Sequence, residues 1–205
     1  MIYPTYELEN ESKGSGYKYI VGVDEAGRGG LAFCVVAAAV HVPENAIDKL
    51  SGKVNDSKKL STKRREELFD LITETCNCGV QDVDVETIEK INILEATKLA
   101  MKSAIEQIEY FDYALVDGTV NLDKHIWCPY RQVIKGDALS ISIAAASILA
   151  KVTRDRMVMK IHEEYPIYKF NKNMTYGTKE HMELIKLYGP CIYHRQTFSG
   201  VKEYI

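Results

Sequence analysis

The chain has little that would staple it, anchor it in lipid or give it charge of one sign. Its five cysteines, Cys34, Cys76, Cys78, Cys128 and Cys191, are odd in number and scattered. Only Cys76 and Cys78 stand close, at a spacing unlike that of zinc ligands, which argues against a disulfide scaffold or a cysteine metal site. The thiols are therefore expected to be reduced and mostly buried. No apolar run reaches the roughly 20 residues needed to span a bilayer, and no early segment has the basic, apolar and small-residue order of a secretory signal. The expectation is a soluble, intracellular, cytoplasmic protein with no membrane partner. Charge is nearly balanced, 26 Lys and Arg against 29 Asp and Glu for a formal net charge of −3. The global field thus announces no polyanionic partner, and any nucleic-acid surface must be local. Repeats, low-complexity tracts and linkers are also missing, so the 205 residues are expected to bury one sizeable core. A single domain over residues 1–205 follows, with residues from about 160 onward as its C-terminal helical extension.

What is present is a series of short apolar runs that end on acids. Residues 19–23 and 31–42 read as two strands joined by a turn over 26–30, close enough to form an antiparallel hairpin. Ser61 can cap a helix carrying Leu68, Phe69, Leu71 and Ile72 at helical spacing. Residues 78–85 read as a weaker strand. A helix over 92–110 shows Leu94, Met101, Ala104, Ile105 and Ile108 on one stripe. A buried strand over 113–116 runs into Asp117, and Val133 and Ile134 close another before Asp137. Small and apolar residues from Ala138 predict a buried helix to about 160, Pro166 breaks the pattern, and residues 178–188 supply a last helix. The fold class expected is α/β, a mixed central sheet flanked by helices with a C-terminal helical appendage.

Asp24, Glu25, Asp117 and Asp137 each lie at or just beyond the carboxyl end of a strand, where open α/β sheets bind ligands. If the strands are neighbours the carboxylates converge, and their repulsion raises pKa values unless cations neutralise them. Hard divalent ions suit such oxygen donors, and two ions about 3.5–4 Å apart would activate a water and stabilise a departing phosphodiester oxygen. Successive side chains of a regular strand point to opposite faces, so the strand is expected to end or twist at Glu25. Gly27, Arg28 and Gly29 bring backbone N–H groups and a guanidinium together as an anion grip. Standing alone, an Asp-Glu pair before a glycine turn is an ordinary solvated hairpin; the repetition of acids at three strand ends is what favours a site. Lys58 and Lys59, with Lys63, Arg64 and Arg65, form a local basic patch, of which Lys58 or Lys59 is expected to touch phosphate and the rest to be surface. Asp155 gives Lys151, Arg154 and Arg156 an ion-pair role as readily as a substrate contact. His41, His125, His162 and His181 share no spacing and read as surface or satisfied polar groups, and His194 as ordering the C-terminal segment.

In order along the chain, Asp24-Glu-Ala-Gly-Arg-Gly29, Asp56-Ser-Lys-Lys-Leu60, Asn92-Ile-Leu-Glu-Ala-Thr97, Val116-Asp-Gly118, Lys135-Gly-Asp-Ala138, the run from Ala144 to Arg156, Tyr176-Gly-Thr178 and His194-Arg195 resemble the motifs of type 2 ribonuclease H, also called ribonuclease HII. The resemblance spans residues from about 18 to 200. It implies a ribonuclease H-like fold and an endonuclease, dependent on two Mg²⁺ or Mn²⁺ ions, that hydrolyses RNA in RNA/DNA hybrids. It also implies cleavage 5′ of a lone ribonucleotide in duplex DNA, leaving a 3′-hydroxyl, in replication and repair. Carried over by motif, Asp24, Glu25, Asp117 and Asp137 are the catalytic, metal-binding acids. Gly27, Arg28 and Gly29 would read the 2′-hydroxyl and hold its phosphate, and Tyr176 would stack on the sugar at the RNA-to-DNA junction. A monomer is expected; a replication clamp is a further partner to test, although residues 198–205 carry no clear clamp-binding motif. The chain departs from the family pattern at Gly30, Phe33 and Cys34, expected to loosen the second strand's start, and at Asn173, Met174 and Thr175, where loss of a usual lysine is expected to alter substrate affinity and junction preference. Two other readings are disfavoured: a type 3 hybrid nuclease without single-ribonucleotide activity, against which the Gly27-Arg28-Gly29 triplet argues, and a non-catalytic hybrid-binding module, against which retention of all four acids argues.

Overall fold

The computed structural model describes residues 3–205; residues 1 and 2, with which the expected domain begins, lie outside the described residues. The elements in chain order are α1 (Glu7–Gly14), β1 (Ile20–Ala26), β2 (Val35–His41), α2 (Glu44–Leu50), α3 (Thr62–Thr75), β3 (Asn77–Val83), α4 (Val85–Ile105), β4 (Tyr113–Asp117), β5 (Tyr130–Val133), α5 (Ile141–Glu164), α6 (Phe170–Asn173) and α7 (Lys179–Tyr188). The five strands form one sheet in the order β3-β2-β1-β4-β5. β1 pairs antiparallel with β2, and β2 with β3, whereas β1, β4 and β5 run parallel. Three neighbouring strands therefore deliver their carboxyl ends to the same edge of the sheet, which is where Asp24, Glu25 and Asp117 sit.

Alternation along the central strands feeds two cores. Val36, Ala38 and Val40 of β2 pack with α3 and α5 on one face, and Val21, Val23, Val35, Ala37 and Ala39 pack with α4 on the other. The face under α5 is close-fitted: a Cβ on Gly22 would lie 2.2 Å from the Ser142 carbonyl carbon and 2.3 Å from the Ile143 nitrogen. Glycine at 22 lets the first turn of α5 rest on the backbone of β1. That turn is also fixed from outside. Buried Glu9 of α1 accepts hydrogen bonds from Ser140 Oγ (2.6 Å), Ser142 Oγ (2.6 Å) and the Ser142 backbone N–H (3.0 Å). A carboxylate at an unsatisfied helix start is favoured by both hydrogen bonding and the helix dipole.

Several boundaries differ from the sequence reading. β1 does not end at Glu25 but stays paired through Ala26, with Glu25 opposite Ala37 and Ala26 opposite Val36. Residues 31–34 are not part of β2; Phe33 adopts a left-handed backbone, φ 71°, and the strand begins at Val35. α4 starts earlier than 92, because Asp84 accepts from the Thr87 N–H (2.8 Å) and begins a preceding turn of helix. Asn92, at φ 67° and ψ 163°, then breaks the helix, and its Oδ1 caps the continuation by accepting from the Leu94 and Glu95 N–H groups (2.9 and 3.1 Å). The kink rotates the stripe: Leu94 is exposed, and Ala96, Thr97, Ala100, Met101, Ala104 and Ile105 are buried. Ser61 and Thr178 cap α3 and α7 as expected, each side chain accepting from the N–H three residues on (3.2 Å each). Among the described residues no helix is long and apolar enough to cross a membrane.

Candidate active site

A cleft of about 410 Å³ opens at the carboxyl ends of β1 and β4, lined by Asp24, Glu25, Gly27, Arg28, Gly29, Lys58, Asp117, Asp137, Ser147, Lys151 and Tyr176 among others. Nine of the ten residues singled out from sequence for catalysis or substrate meet there. The exception is Lys59, which stands at the rim, half-exposed and 3.7 Å from Asp56. Glu25 reaches the cleft although its strand neither ends nor breaks at that residue. The cleft lies across the strand's end, so Asp24 enters from the α5 face and Glu25 from the α4 face.

Local bonds aim each acid. Asp24 Oδ1 accepts from the Glu25 N–H (2.7 Å). Asp117 Oδ1 accepts from the Gly136 N–H (2.7 Å), which ties the end of β4 to the turn that carries Asp137. That turn, Gly136–Ala138, leaves β5 through Lys135 in the left-handed region (φ 57°) and leads into α5. The electrostatics are those of carboxylates crowded out of water. Burial, then the charges of Glu25 and Asp117, push Asp24 well above its ordinary value. Burial and Asp117 raise Glu25 against the opposing pull of Arg28, 3.8 Å away. Burial raises Asp117 despite three backbone N–H donors. Burial, then Asp56 and Asp117, push Asp137 up to about 6, with Lys58 and Lys59 acting in the other direction.

The donor set is hard oxygen throughout, which suits Mg²⁺ or Mn²⁺. The four acids line one cleft, but among the described residues no group of three or more His, Cys, Asp or Glu is drawn together into a metal-holding cluster. The raised pKa values express a demand for positive charge that a divalent pair would meet.

The turn beside the acids is held from behind by two arginines that sequence reasoning did not pick out as buried. Arg154 and Arg195 are both fully buried. Arg195 donates to the carbonyls of Gly27 (2.8 Å), Arg28 (3.0 Å), Gly30 (2.8 Å) and Phe33 (2.9 Å). Arg154 donates to Ala32 O (3.2 Å), Cys34 O (3.0 Å), Met174 O (3.1 Å) and Thr175 Oγ1 (2.6 Å). Asp155 is therefore not the partner of Arg154; it takes Lys151 (2.7 Å) and stands 3.9 Å from Arg65. The planar guanidinium fork suits several carbonyls at once. These bonds correct the expectation of a loosened start to β2: residues 27–34 are clamped. A Cβ on Gly27 (φ +91°) would lie 1.9 Å from Arg154 Nε, and one on Gly30 would lie 2.8 Å from Thr175 Oγ1. Thr175 thus fills the space that glycine at 30 leaves. Arg65 is likewise not free surface, donating to Ser57 O (3.0 Å) and Leu60 O (2.7 Å) and so fixing the loop that presents Lys58. The signal for the arginines was faint: one sits among the charged residues Lys151, Asp155 and Arg156, the other beside His194.

A mixed sheet with helices on both faces and an acidic cleft at its parallel strand ends defines a ribonuclease H-like hydrolase. The sequence model of the family described as ribonuclease HII matches residues 21–201. A ribonuclease HII of Chlamydia trachomatis serovar A is 49% identical over 201 residues, covering 97% of this chain and 90% of the relative. The crystal structure of ribonuclease H2 from Pyrococcus horikoshii OT3 superposes with a TM-score of 0.77 at 25% identity, covering 91% of this chain and 97% of that one. Ribonuclease HII from Archaeoglobus fulgidus, solved as a complex with PCNA, gives a TM-score of 0.74 at 28% identity over 89% of this chain and 96% of that one. The chain belongs to the ribonuclease HII family, and is accordingly a hydrolase of the endoribonuclease type.

Proposed function

We propose that this enzyme hydrolyses the RNA strand of RNA/DNA hybrids and cuts duplex DNA on the 5′ side of a single embedded ribonucleotide, leaving a 3′-hydroxyl. The observation that carries the reading is the meeting of four carboxylates with the Gly27–Arg28–Gly29 turn and Tyr176 in one cleft. Asp24, Glu25, Asp117 and Asp137 would hold two divalent ions, Mg²⁺ or Mn²⁺. Such ions, when bound, generate the attacking water and stabilise the leaving oxygen. The protein's own groups do the selecting. Arg28, released from Glu25, pairs with the phosphate, while the backbone at Gly27 and Gly29 comes close enough to meet the 2′-hydroxyl, the group that marks RNA at a single nucleotide. Tyr176 offers its ring to the sugar at the junction, and Lys58 brings a cation to the phosphate side. A pure binder of polyanions gains nothing from clustered negative charge, which disfavours the non-catalytic alternative. We further place the protein inside the cell as a monomer, residues 1–205 acting as one catalytic domain with those from about 160 as its extension, and we name a sliding clamp as a partner to test.

The test is cleavage of a labelled RNA/DNA hybrid with Mg²⁺ or Mn²⁺, with chelator controls. Asp24→Asn and Asp137→Asn are each expected to lose at least about 10²-fold in rate, as for loss of one preorganised electrostatic group. Full activity in either variant, or cutting in chelator, contradicts the assignment.

A further inference from the structure

The least expected feature behind the cleft is a buried pair of histidines, His181 of α7 and His194, both fully buried. Their Nε2 atoms are 3.2 Å apart. His194 Nδ1 accepts from the Cys191 backbone N–H at 2.9 Å, so that nitrogen carries no proton. His181 Nδ1 lies 2.9 Å from the Tyr176 carbonyl oxygen, an acceptor only, so that nitrogen does carry one. Neutral rings then leave one consistent arrangement: His194 Nε2–H donates to the bare Nε2 of His181, and His181 Nδ1–H donates to Tyr176. A second proton on either ring would set two N–H donors face to face. The surroundings agree. Tyr168 packs edge-on against His194 with centroids 4.7 Å apart, and Phe170 against His181 at 5.5 Å. Burial lowers both imidazoles, His194 to about 4.

This chain of bonds ends on Tyr176. Its carbonyl accepts from both His181 and the Thr178 N–H (2.8 Å), and its own N–H donates to Asn173 O (2.9 Å), so its backbone has no unused group. The other end of the chain, at His194, belongs to the segment that pairs with residues 31–33: Arg195 N–H donates to Leu31 O (2.8 Å) and Phe33 N–H to Tyr193 O (2.7 Å). Leu31 N–H in turn donates to Thr175 O (2.8 Å). Tyr176 and the Gly27–Gly29 turn are thus referenced to each other through buried bonds that leave the cleft's surface free.

We propose that His181 and His194 are positioning residues that set Tyr176 against the glycine-arginine turn, and thereby set the enzyme's preference for a single embedded ribonucleotide over a long hybrid. The proposal rests on the junction-stacking role given to Tyr176 above. A displacement of about 1 Å in a positioned group is enough to cost up to about 10²-fold. A long hybrid offers many equivalent registers, so it depends less on one ring.

The test compares kcat/KM on a duplex with one ribonucleotide and on a long hybrid for His181→Gln, His181→Asn, Tyr176→Ala and the double variant His181→Gln with Tyr176→Ala. An Asn amide falls where Nδ1 lies and keeps the bond to Tyr176; a Gln amide reaches past it. His181→Gln is expected to lose about tenfold or more on the single ribonucleotide and less than about threefold on the long hybrid, with His181→Asn, which keeps the Tyr176 bond and gives up the one to His194, falling between His181→Gln and the parent, and the double variant no worse than Tyr176→Ala. Equal losses on both substrates for His181→Gln, while Tyr176→Ala remains selective, overturn the positioning role and leave that of Tyr176. Equal losses for Tyr176→Ala overturn the stacking role and the proposal with it. Nitrogen-15 imidazole spectra of the unaltered protein at neutral pH give a readout free of any folding defect. Bare nitrogens at His181 Nε2 and His194 Nδ1 are expected; the opposite tautomers, or a charged ring, contradict the bonding scheme.

Discussion

Asp24 shows what an active site costs at the scale of one side chain. It is 7% exposed, with Glu25 and Asp117 as near neighbours, and both burial and repulsion favour its protonated form. A carboxylate whose folded-state pKa is raised contributes stability that is complete below its ordinary value and is lost as pH rises through the folded value. For Asp137 that window runs from 3.8 to about 6. At pH 8, in chelator, Asp24→Asn is therefore expected to melt higher than the parent, by about 2–4 °C for each kcal/mol of repulsion relieved. The gain should shrink at pH 4.5. Calorimetry at the two pH values checks this, and an unchanged or lower melting temperature at pH 8 would place Asp24 outside a repulsive cluster. Adding Mg²⁺ should stabilise the parent more than the variant, because ligand binding to the folded state adds to stability.

Among the elements, the packing of α5 on β1 decides whether the acids meet. α5 begins three residues beyond the Gly136–Ala138 turn, so any shift of the helix carries Asp137 with it. Glycine at 22 allows the contact, and Glu9 with Ser140 and Ser142 fixes the helix start from the opposite side. Gly22→Ala would push a methyl against the Ser142 and Ile143 backbone, which cannot swing aside as a side chain can. Overpacking of this kind is expected to cost about 2 kcal/mol or more and to lower cleavage more than substrate binding. Urea denaturation and binding to an uncleavable hybrid measure the two effects, and a fully stable, fully active variant would show that the contact does not position the site. The strand ends and their acids were legible in the sequence because an apolar run followed by Asp and Gly is a local pattern. Cap residues at Ser61 and Thr178 were legible for the same reason. The start at Asn92 was legible too, since Asn is a favoured cap, but the turn of helix from Val85 that precedes the kink was not. Nor were the roles of Arg154 and Arg195, whose partners are mostly backbone carbonyls 120 to 168 residues away in sequence.

Over the whole molecule, two buried groups of opposite sensitivity shape the response to pH. The acid cluster lowers stability as pH rises. The histidine pair does the reverse: a His whose folded pKa lies below its ordinary 6.5 keeps its contribution above that value and loses it as pH falls towards about 4 for His194. Between those values the unfolded chain takes up protons that the folded site, enclosed by Tyr168, Phe170, Cys191 and His181, refuses. Melting curves of Asp24→Asn, which relieves the acid cluster, are expected to fall steeply below pH 6, and His194→Gln in the same background to flatten that fall. An unchanged acid arm would assign it to other groups. The family resemblance read from ordered motifs reached the fold, and the four acids and the glycine-arginine turn that it named line one cleft. Lys59 is the residue it offered for substrate contact that stands outside the cleft.

The most direct test of the account is cleavage-site mapping on an end-labelled DNA duplex holding one ribonucleotide, beside an all-DNA duplex, with Mg²⁺ or Mn²⁺ present. The account predicts one cut on the 5′ side of the ribonucleotide, a 3′-hydroxyl on the upstream fragment, an intact control and no product with Asp24→Asn. Cutting confined to a long RNA/DNA hybrid, or cutting of the all-DNA control, would contradict it.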